Sequence, residues 1–345
     1  MLDDLAYIHE RDVEDALGIV EKQGQQLAQA FSLSGATAFQ PIQNIVYAGM
    51  GGSALAALLA QTWPPVTVPF QVVRDYDLPH YVNERTLVIC ASYSGNTEET
   101  LSALAQAEQK GSQIVIITGG GKLKEAAQTK NYPLLELPKT AQPRYAVLAN
   151  FKALLVTLEK SGVVAAKDFV QTVEAAGSFL NREVAAWRPD VAVKDNLAKQ
   201  IAQELIGKSV VVYAGPHLYP AAYKWKISVN ENAKQVAWLN QIPEFNHNEF
   251  IGWSKQPTDK PYTVVDLRSS FEHPRVQKRF EVSARLLSGM RPEPITVQAK
   301  GDTVLEQVLW TSALGDFVSI YLALLNGLNP APVDLVEKFK VALDS

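Results

Sequence analysis

Short apolar runs rich in Val, Ile and Leu alternate along this chain with segments whose apolar positions recur at helical spacing. In the first half the runs lie near 43–48, 68–73, 86–91, 113–118 and 134–137, and they read as strands with helices between several of them. That alternation marks a parallel sheet covered by helices. A second alternation begins at Ser209-Val210-Val211-Val212-Tyr213-Ala214-Gly215. It continues through strands near 235–239, 262–267 and 295–298, with helices near 219–233, 274–289 and 303–326. Between the two sets, helical patterns near 145–160, 166–186 and 195–206 are interrupted at Trp187-Arg188-Pro189-Asp190. Residues 5–31 read as helical, and a short helix closes the chain from Val333 to Leu343. The expectation is an α/β protein of two similar domains, 1–160 and 161–345, each a parallel sheet flanked by helices in three layers.

Two strand-to-helix turns of the first half stand out for glycine and hydroxyl residues. One is Gly49-Met50-Gly51-Gly52-Ser53, after Ile45-Val46-Tyr47-Ala48; the other is Ser92-Tyr93-Ser94-Gly95-Asn96-Thr97, after Leu87-Val88-Ile89-Cys90-Ala91. A helix start presents backbone N–H groups and a partial positive charge, which attract anions. Glycine lets the backbone approach closely, and hydroxyls add donors without charge. The plain alternative is that these residues only make tight turns and helix caps. Gly49-x-Gly51-x-x-Ala54, with Asp75 at the end of the next strand, fits a loose dinucleotide fingerprint. Such a site has no need of the second turn, and neither turn has the G-x-x-x-x-G-K-[ST] pattern of NTP hydrolysis. A bound phosphorylated metabolite is the expectation, in the first half only, because the second half has no turn as rich in hydroxyls.

Composition narrows this further. The 345 residues are 47% hydrophobic and 20% charged, and 32 basic against 36 acidic side chains leave −4. No nucleic-acid surface is expected from that balance, so phosphate recognition has to be local. The single cysteine, Cys90, lies in an apolar strand run, which fits a reducing compartment. Met1-Leu2-Asp3-Asp4 is acidic where a secretory leader is basic, and no apolar run approaches the length of a membrane span. A cytoplasmic protein that does not enter membranes is expected.

Two further clusters carry candidate chemistry. Asn230-Glu231-Asn232 ends a helical pattern, and Pro243-Glu244-Phe245-Asn246-His247-Asn248-Glu249-Phe250 sets one His among amides and acids on a loop after a strand. His247 there suits a general acid or base. His9, His80, His217 and His273 lack such company, and no second His or Cys has metal-ligand spacing. Phe245, Phe250 and Trp253 around His247 read either as anchors of a subunit contact or as ordinary core beneath the loop.

Taken together the motifs resemble the bifunctional phosphoglucose/phosphomannose isomerase family of SIS (sugar isomerase) proteins. The likeness runs from Leu2-Asp3-Asp4-Leu5-x-Tyr7-Ile8-x-Glu10-Arg11-Asp12 through both turns and Pro143-Arg144-Tyr145-Ala146. It continues in Asn230-Glu231-Asn232-Ala233-Lys234, Asn246-His247-Asn248-Glu249 and Asn329-Pro330-x-Pro332-Val333. The resemblance implies two SIS-type domains and aldose–ketose isomerisation of a phosphorylated hexose without metal or cofactor. It assigns the phosphate to Ser53, Ser92, Ser94 and Thr97, with Gly51 and Gly52 near the reacting carbons. Arg144 would face the enediolate and Glu231 would move the proton between C1 and C2. His247 would assist ring opening from the neighbouring subunit of a homodimer, and Lys340 would assist with ring and hydroxyl protons. The family's acceptance of mannose 6-phosphate is attributed to a threonine near the C-terminal segment. Asn329 to Lys340 contains none, with Ala331 and Val333 the nearest small residues. The competing expectation is a SIS-type sensor that binds a sugar phosphate without converting it.

Overall fold

Every strand expected from the sequence forms, and all of them pair in parallel. The computed structural model describes residues 1–35, 38–139, 142–165, 169–255 and 261–343. The chain divides into two compact units, Gln23–Phe179 and Met1–Lys22 with Leu180–Ser345. Residues 166–168, where a helix was expected to begin, lie outside the described residues.

The single helix expected over 5–31 is broken into α1 (Leu5–Arg11), α2 (Ala16–Glu21) and a 3-10 turn at Gln23–Ala28. Asp12 causes the break: its buried carboxylate accepts from the backbone N–H of Ala16 at 2.7 Å and of Leu17 at 2.9 Å. Asp15 then takes a left-handed backbone, φ +54°, and caps α2 at Gly18. Helices α1 and α2 fall in the unit of the second sheet, whereas a 1–160 domain has them with the first; the 3-10 turn at Gln23–Ala28 stays with the first. Tyr7 donates to the carbonyl of Leu324 at 2.7 Å, and Asp3 accepts from Val193 N–H at 2.8 Å.

In the unit Gln23–Phe179 the chain runs β1 (Asn44–Ala48), α3 (Gly51–Thr62), β2 (Phe70–Val73), β3 (Thr86–Ser92), α4 (Glu98–Gln109), β4 (Gln113–Thr118), α5 (Gly121–Lys130), β5 (Leu134–Glu136) and α6 (Val147–Lys160). The strand order is β2-β1-β3-β4-β5. The sheet therefore grows in opposite directions from β1 and β3, and the loops leaving those two strands flank its switch point. All seven residues of β3 are buried, as expected of a central strand covered on both faces. Helix α7 (Phe169–Glu183) contains the division between the units.

The second unit adds α8 (Leu197–Leu205), β6 (Ser209–Ala214), α9 (Tyr219–Ala233), β7 (Ala237–Gln241), α10 (Glu249–Gly252), β8 (Tyr262–Arg268), α11 (Pro274–Leu286), β9 (Ile295–Gln298), α12 (Val304–Leu325) and α13 (Asp334–Leu343). Its strand order is β7-β6-β8-β9, again with a switch, here between β6 and β8. Helix α12 corrects the expectation that no apolar segment reaches membrane-span length. It has 22 residues and a mean hydropathy of 1.7 over its most apolar stretch. That stretch is 94% buried, packed against α9 and α8, as the central helix of this unit.

Candidate active site

The glycine turn and the hydroxyl turn leave adjacent strands of the first sheet, since Ala48 pairs with Cys90. At Gly49 a side chain would stand 2.9 Å from the carbonyl of Ala91, so only glycine lets the two turns lie this close. Met50, the cap of α3, is extended and places no side chain on the helix start, while Gly51 follows at φ +50° with open space beyond its Cα. The half-buried Ser53 is held through its carbonyl, 2.9 Å from the hydroxyl of Tyr47, which also lies 3.2 Å from Asn150 Oδ1.

In the second turn the hydroxyls converge. Ser92 Oγ lies 2.7 Å from Thr97 Oγ1 and 3.3 Å from Ser94 Oγ, and accepts from Gly95 N–H at 3.1 Å. Thr97 caps α4 without placing its side chain on the helix N–H groups. The loop after β4 braces this turn: Gly119 N–H donates to Tyr93 O, Leu123 N–H to Gly95 O and Lys122 N–H to Asn96 Oδ1, each at 3.0 Å. Gly95, at φ +72°, is packed so tightly on Gly120 that a Cβ would strike its carbonyl. Two helix starts without side-chain caps and three clustered hydroxyls at a switch point are suited to an anion, although α4 also carries Glu98 and Glu99 in its first turn.

Arg144 lies on a 3-10 turn, Pro143–Tyr145, just before α6, and is 4% exposed. Its backbone abuts the glycine turn, with Arg144 Cα 3.5 Å from where a Cβ on Gly52 would be. Glu231 stands half-buried near the end of α9, and its neighbours are all engaged. Asn230 Oδ1 accepts from Ala237 N–H at 2.9 Å, at the start of β7, and Asn232 donates to Ser319 Oγ at 2.8 Å. Lys234, left-handed at φ +52°, donates to the carbonyls of Asn232, Asn329 and Pro330. That last contact ties the Asn329-Pro330-Ala331 segment to the helix that carries Glu231.

His247 ends a 3-10 turn after β7 and is exposed. Around it Asn248 bonds Glu244 at 2.7 Å, Asn246 bonds Ser283 at 2.8 Å, and Glu249 accepts from Asn240 and from the Tyr213 hydroxyl. Phe245 packs on Tyr213 with ring centroids 4.5 Å apart, Trp253 donates to the Tyr213 hydroxyl at 2.9 Å, and Phe250 meets Phe245 edge-on. These aromatics therefore form core beneath their own loop, the plainer of the two expectations. Within one chain Glu231 and His247 are not brought together. They lie beyond opposite ends of β7, a five-residue strand that spans roughly 13 Å. Lys340 falls within α13, and its side chain lies outside what the structure describes.

The switch point of the second sheet is already occupied. There the buried carboxylate of Glu272 accepts from the backbone N–H of His217 at 2.8 Å and also from that of Leu218. Burial pushes this carboxyl up from the ordinary glutamate range, and His217 and the two N–H bonds oppose that shift. A Cβ on Gly215 would collide with the same carboxylate. Ser269 and Ser270, which echo the hydroxyl turn, are both bonded to Gln307. The position of an anion is thus filled by the protein's own side chain. Neither this nor the Tyr47–Asn150 brace has a local sequence signal; Asn96, inside the hydroxyl turn, does. Asp75 accepts from Tyr76 N–H within its own exposed turn.

The fold and these turns are those of a protein with two SIS domains. The SIS domain model matches residues 38–159, and the model of the bacterial phospho-glucose isomerase C-terminal SIS domain matches 194–343. Similar proteins include the bifunctional phosphoglucose/phosphomannose isomerases of Caldicellulosiruptor bescii and Aquifex aeolicus. Each is 34% identical, over 87% of this chain and 89% of the former, and over 88% and 91% for the latter. The chain belongs to the bifunctional phosphoglucose/phosphomannose isomerase family. It is also 35% identical, over 65% of its length and 68% of the relative, to a D-glucosamine-6-phosphate 4-epimerase of Sulfolobus acidocaldarius. Among solved structures, a glucose-6-phosphate isomerase like protein from Thermus thermophilus shares the fold at 17% identity, with a TM-score of 0.66 and 98% of each chain covered.

Proposed function

We propose that this chain is a metal-independent phosphohexose isomerase that interconverts glucose 6-phosphate with fructose 6-phosphate, and mannose 6-phosphate with fructose 6-phosphate, through a cis-enediolate. The observation that carries the reading is the convergence of Ser92, Ser94 and Thr97 at the start of α4, beside the glycine turn, at the one switch point not filled by a carboxylate. A sugar phosphate held there by Ser53, Ser92, Ser94 and Thr97 keeps its carbon chain near Gly51 and Gly52. Removing a proton next to a carbonyl needs one placed base and a positive group facing the oxyanion. Glu231 is that base, and it serves both transfers because C1 and C2 are adjacent on one face. Arg144 faces the enediolate oxygen, and Lys340 assists the ring and hydroxyl protons. His247 opens the ring from a partner subunit of a homodimer, a reading supported by its exposure and by its separation from Glu231 across β7. A reducing, cytoplasmic setting fits Cys90, whose buried thiol is pushed up to about 12.

Isomerase chemistry is favoured over sensing by Glu231, for which a sensor has no use, and by the relatives named as isomerases. The test is a coupled assay on fructose 6-phosphate, with and without EDTA, followed by Glu231→Gln. Activity is expected to withstand EDTA. The amide variant is expected to bind substrate within a few-fold of the parent while losing turnover and exchange of the C2 proton with solvent. Tight binding by the parent with no glucose 6-phosphate formed selects the sensor. Glucosamine 6-phosphate belongs in the substrate panel because of the epimerase relative, and no C4 epimer is expected from it.

A further inference from the structure

Asp316 sits fully buried in the middle of α12, a helix otherwise dominated by apolar side chains. Lys224 Nζ of α9 pairs with it at 2.8 Å, and Ser228 Oγ donates to the same oxygen at 2.8 Å. One turn further on, Asn232 of α9 donates to Ser319 Oγ, which in turn donates to the carbonyl of Asp316, both at 2.8 Å. One turn earlier, Trp225 donates to the carbonyl of Thr311 at 2.8 Å, and its indole lies where any side chain on Gly315 would go. From Lys224 and Ser228 on Asp316 to Asn232 on Ser319, the polar partners run in the same direction along both helices. The buried polar positions on α9 are 224, 228 and 232, spaced by four. Glu231, three residues after Ser228 and seven after Lys224, stands on the same side.

A buried ion pair contributes little to stability compared with apolar side chains of similar volume, so its retention calls for another account. Apolar helix faces tolerate alternative packings, whereas one buried polar contact selects a single register. Sliding α12 along α9 by one turn, about 5.4 Å, would take the Asp316 carboxylate off either Lys224 or Ser228 and break the Asn232–Ser319 bond. We propose that the Lys224–Asp316–Ser228 contact, together with the Asn232–Ser319 bond, fixes the register of α9 on α12 and thereby positions the Glu231 carboxylate for proton transfer. The proposal rests on the reading of Glu231 as the base. It makes Lys224, Ser228, Asn232, Asp316 and Ser319 positioning residues that need not touch the substrate.

The experiment compares Ser228→Ala, Ser319→Ala, their double variant and the conservative Ser319→Thr, with kcat, KM and Tm measured on each. The double variant, assayed well below its Tm, is expected to lose about tenfold or more in kcat with KM within about twofold of the parent. Ser319→Thr, which keeps the hydroxyl, is expected to retain the parental kcat. Wild-type kcat in a destabilised double variant overturns the proposal and leaves the ladder a stability feature. A KM that rises as far as kcat falls overturns it too, pointing to the binding site. Glu231→Gln run in parallel separates the two levels. If that variant turns over normally, the reading of the base has failed and the proposal falls with it. If it is dead while the double variant keeps wild-type kcat, the positioning proposal alone has failed.

Discussion

Ser92 and Ser94 are two residues apart yet occupy different environments. Ser92 is buried at the centre of the hydroxyl cluster and accepts the N–H of Gly95, a residue held at φ +72°. Ser94 is exposed, and its hydroxyl accepts from Asn96 N–H at 3.3 Å. Gly95 N–H also reaches the carbonyl of Ser92 at 3.2 Å, so removing Ser92 Oγ takes one of its two acceptors together with the buried hydroxyl against which Thr97 is set, at a cost of about 1 kcal/mol. Ser92→Ala is therefore expected to lower Tm and to raise KM for the sugar phosphate. Ser94→Ala is expected to raise KM while leaving Tm close to the parent's, since little in the fold depends on it. Thermal melts beside steady-state kinetics decide the matter, and equal Tm losses in the two variants would contradict the asymmetry. These serines were legible in the sequence because their spacing is local. The carboxylate of Glu272, which fills the corresponding place on the second sheet, reaches it from 55 residues away in sequence from His217, and nothing near either residue announces the contact.

At the scale of elements, the strands were legible because continuous apolar runs bounded by glycine admit few other readings. The break between α1 and α2 was not, since Asp12 and Asp15 look like ordinary polar positions until Asp12 is seen holding two backbone N–H groups. The apolar length of α12 was hidden by Glu306 and Asp316, one a capping-box acid and the other paired inside the unit. A similar buried pair underlies the turn that carries His247. Asp266 of β8 lies 3.6 Å from Arg291, whose guanidinium stands over the rings of Tyr213 and Phe245. Burial outweighs the pull of Arg291 and Arg268 and pushes the Asp266 carboxyl up to about 6. Between an unfolded value near 4 and about 6, the folded protein binds the extra proton. This contribution to stability is therefore full at low pH and is lost as pH rises through about 6, by at most on the order of 3 kcal/mol. Asp266→Asn is expected to flatten that part of the pH dependence. Melts at pH 5, 6 and 7 test it, and an unchanged slope in the variant would assign the effect to other groups.

Over the whole molecule, the decisive arrangement is that Glu231 and His247, two groups the proposed reaction needs together, lie beyond opposite ends of β7 in the same chain. Strand β7 is also the edge of its sheet, with Trp238 52% exposed. Helix α13 bares Leu335, Phe339 and Leu343, an apolar stripe spaced by four. An open strand edge can pair with another chain, and an uncovered apolar stripe marks a surface on which one can pack. If a partner's His247 completes the site, each subunit alone is inactive, and two dead variants should complement one another. Glu231→Gln and His247→Ala are mixed in equal amounts under conditions that let subunits exchange. Random exchange leaves half of the dimers mixed, and each mixed dimer has one site with both wild-type residues and one with neither. Up to about a quarter of the parental activity is then expected to return. Subunit exchange is verified separately, by native mass spectrometry on chains of distinguishable mass. No recovery once mixed dimers are demonstrated would mean that each chain supplies its own histidine, which would require the loop bearing His247 to travel past the end of β7 to reach Glu231.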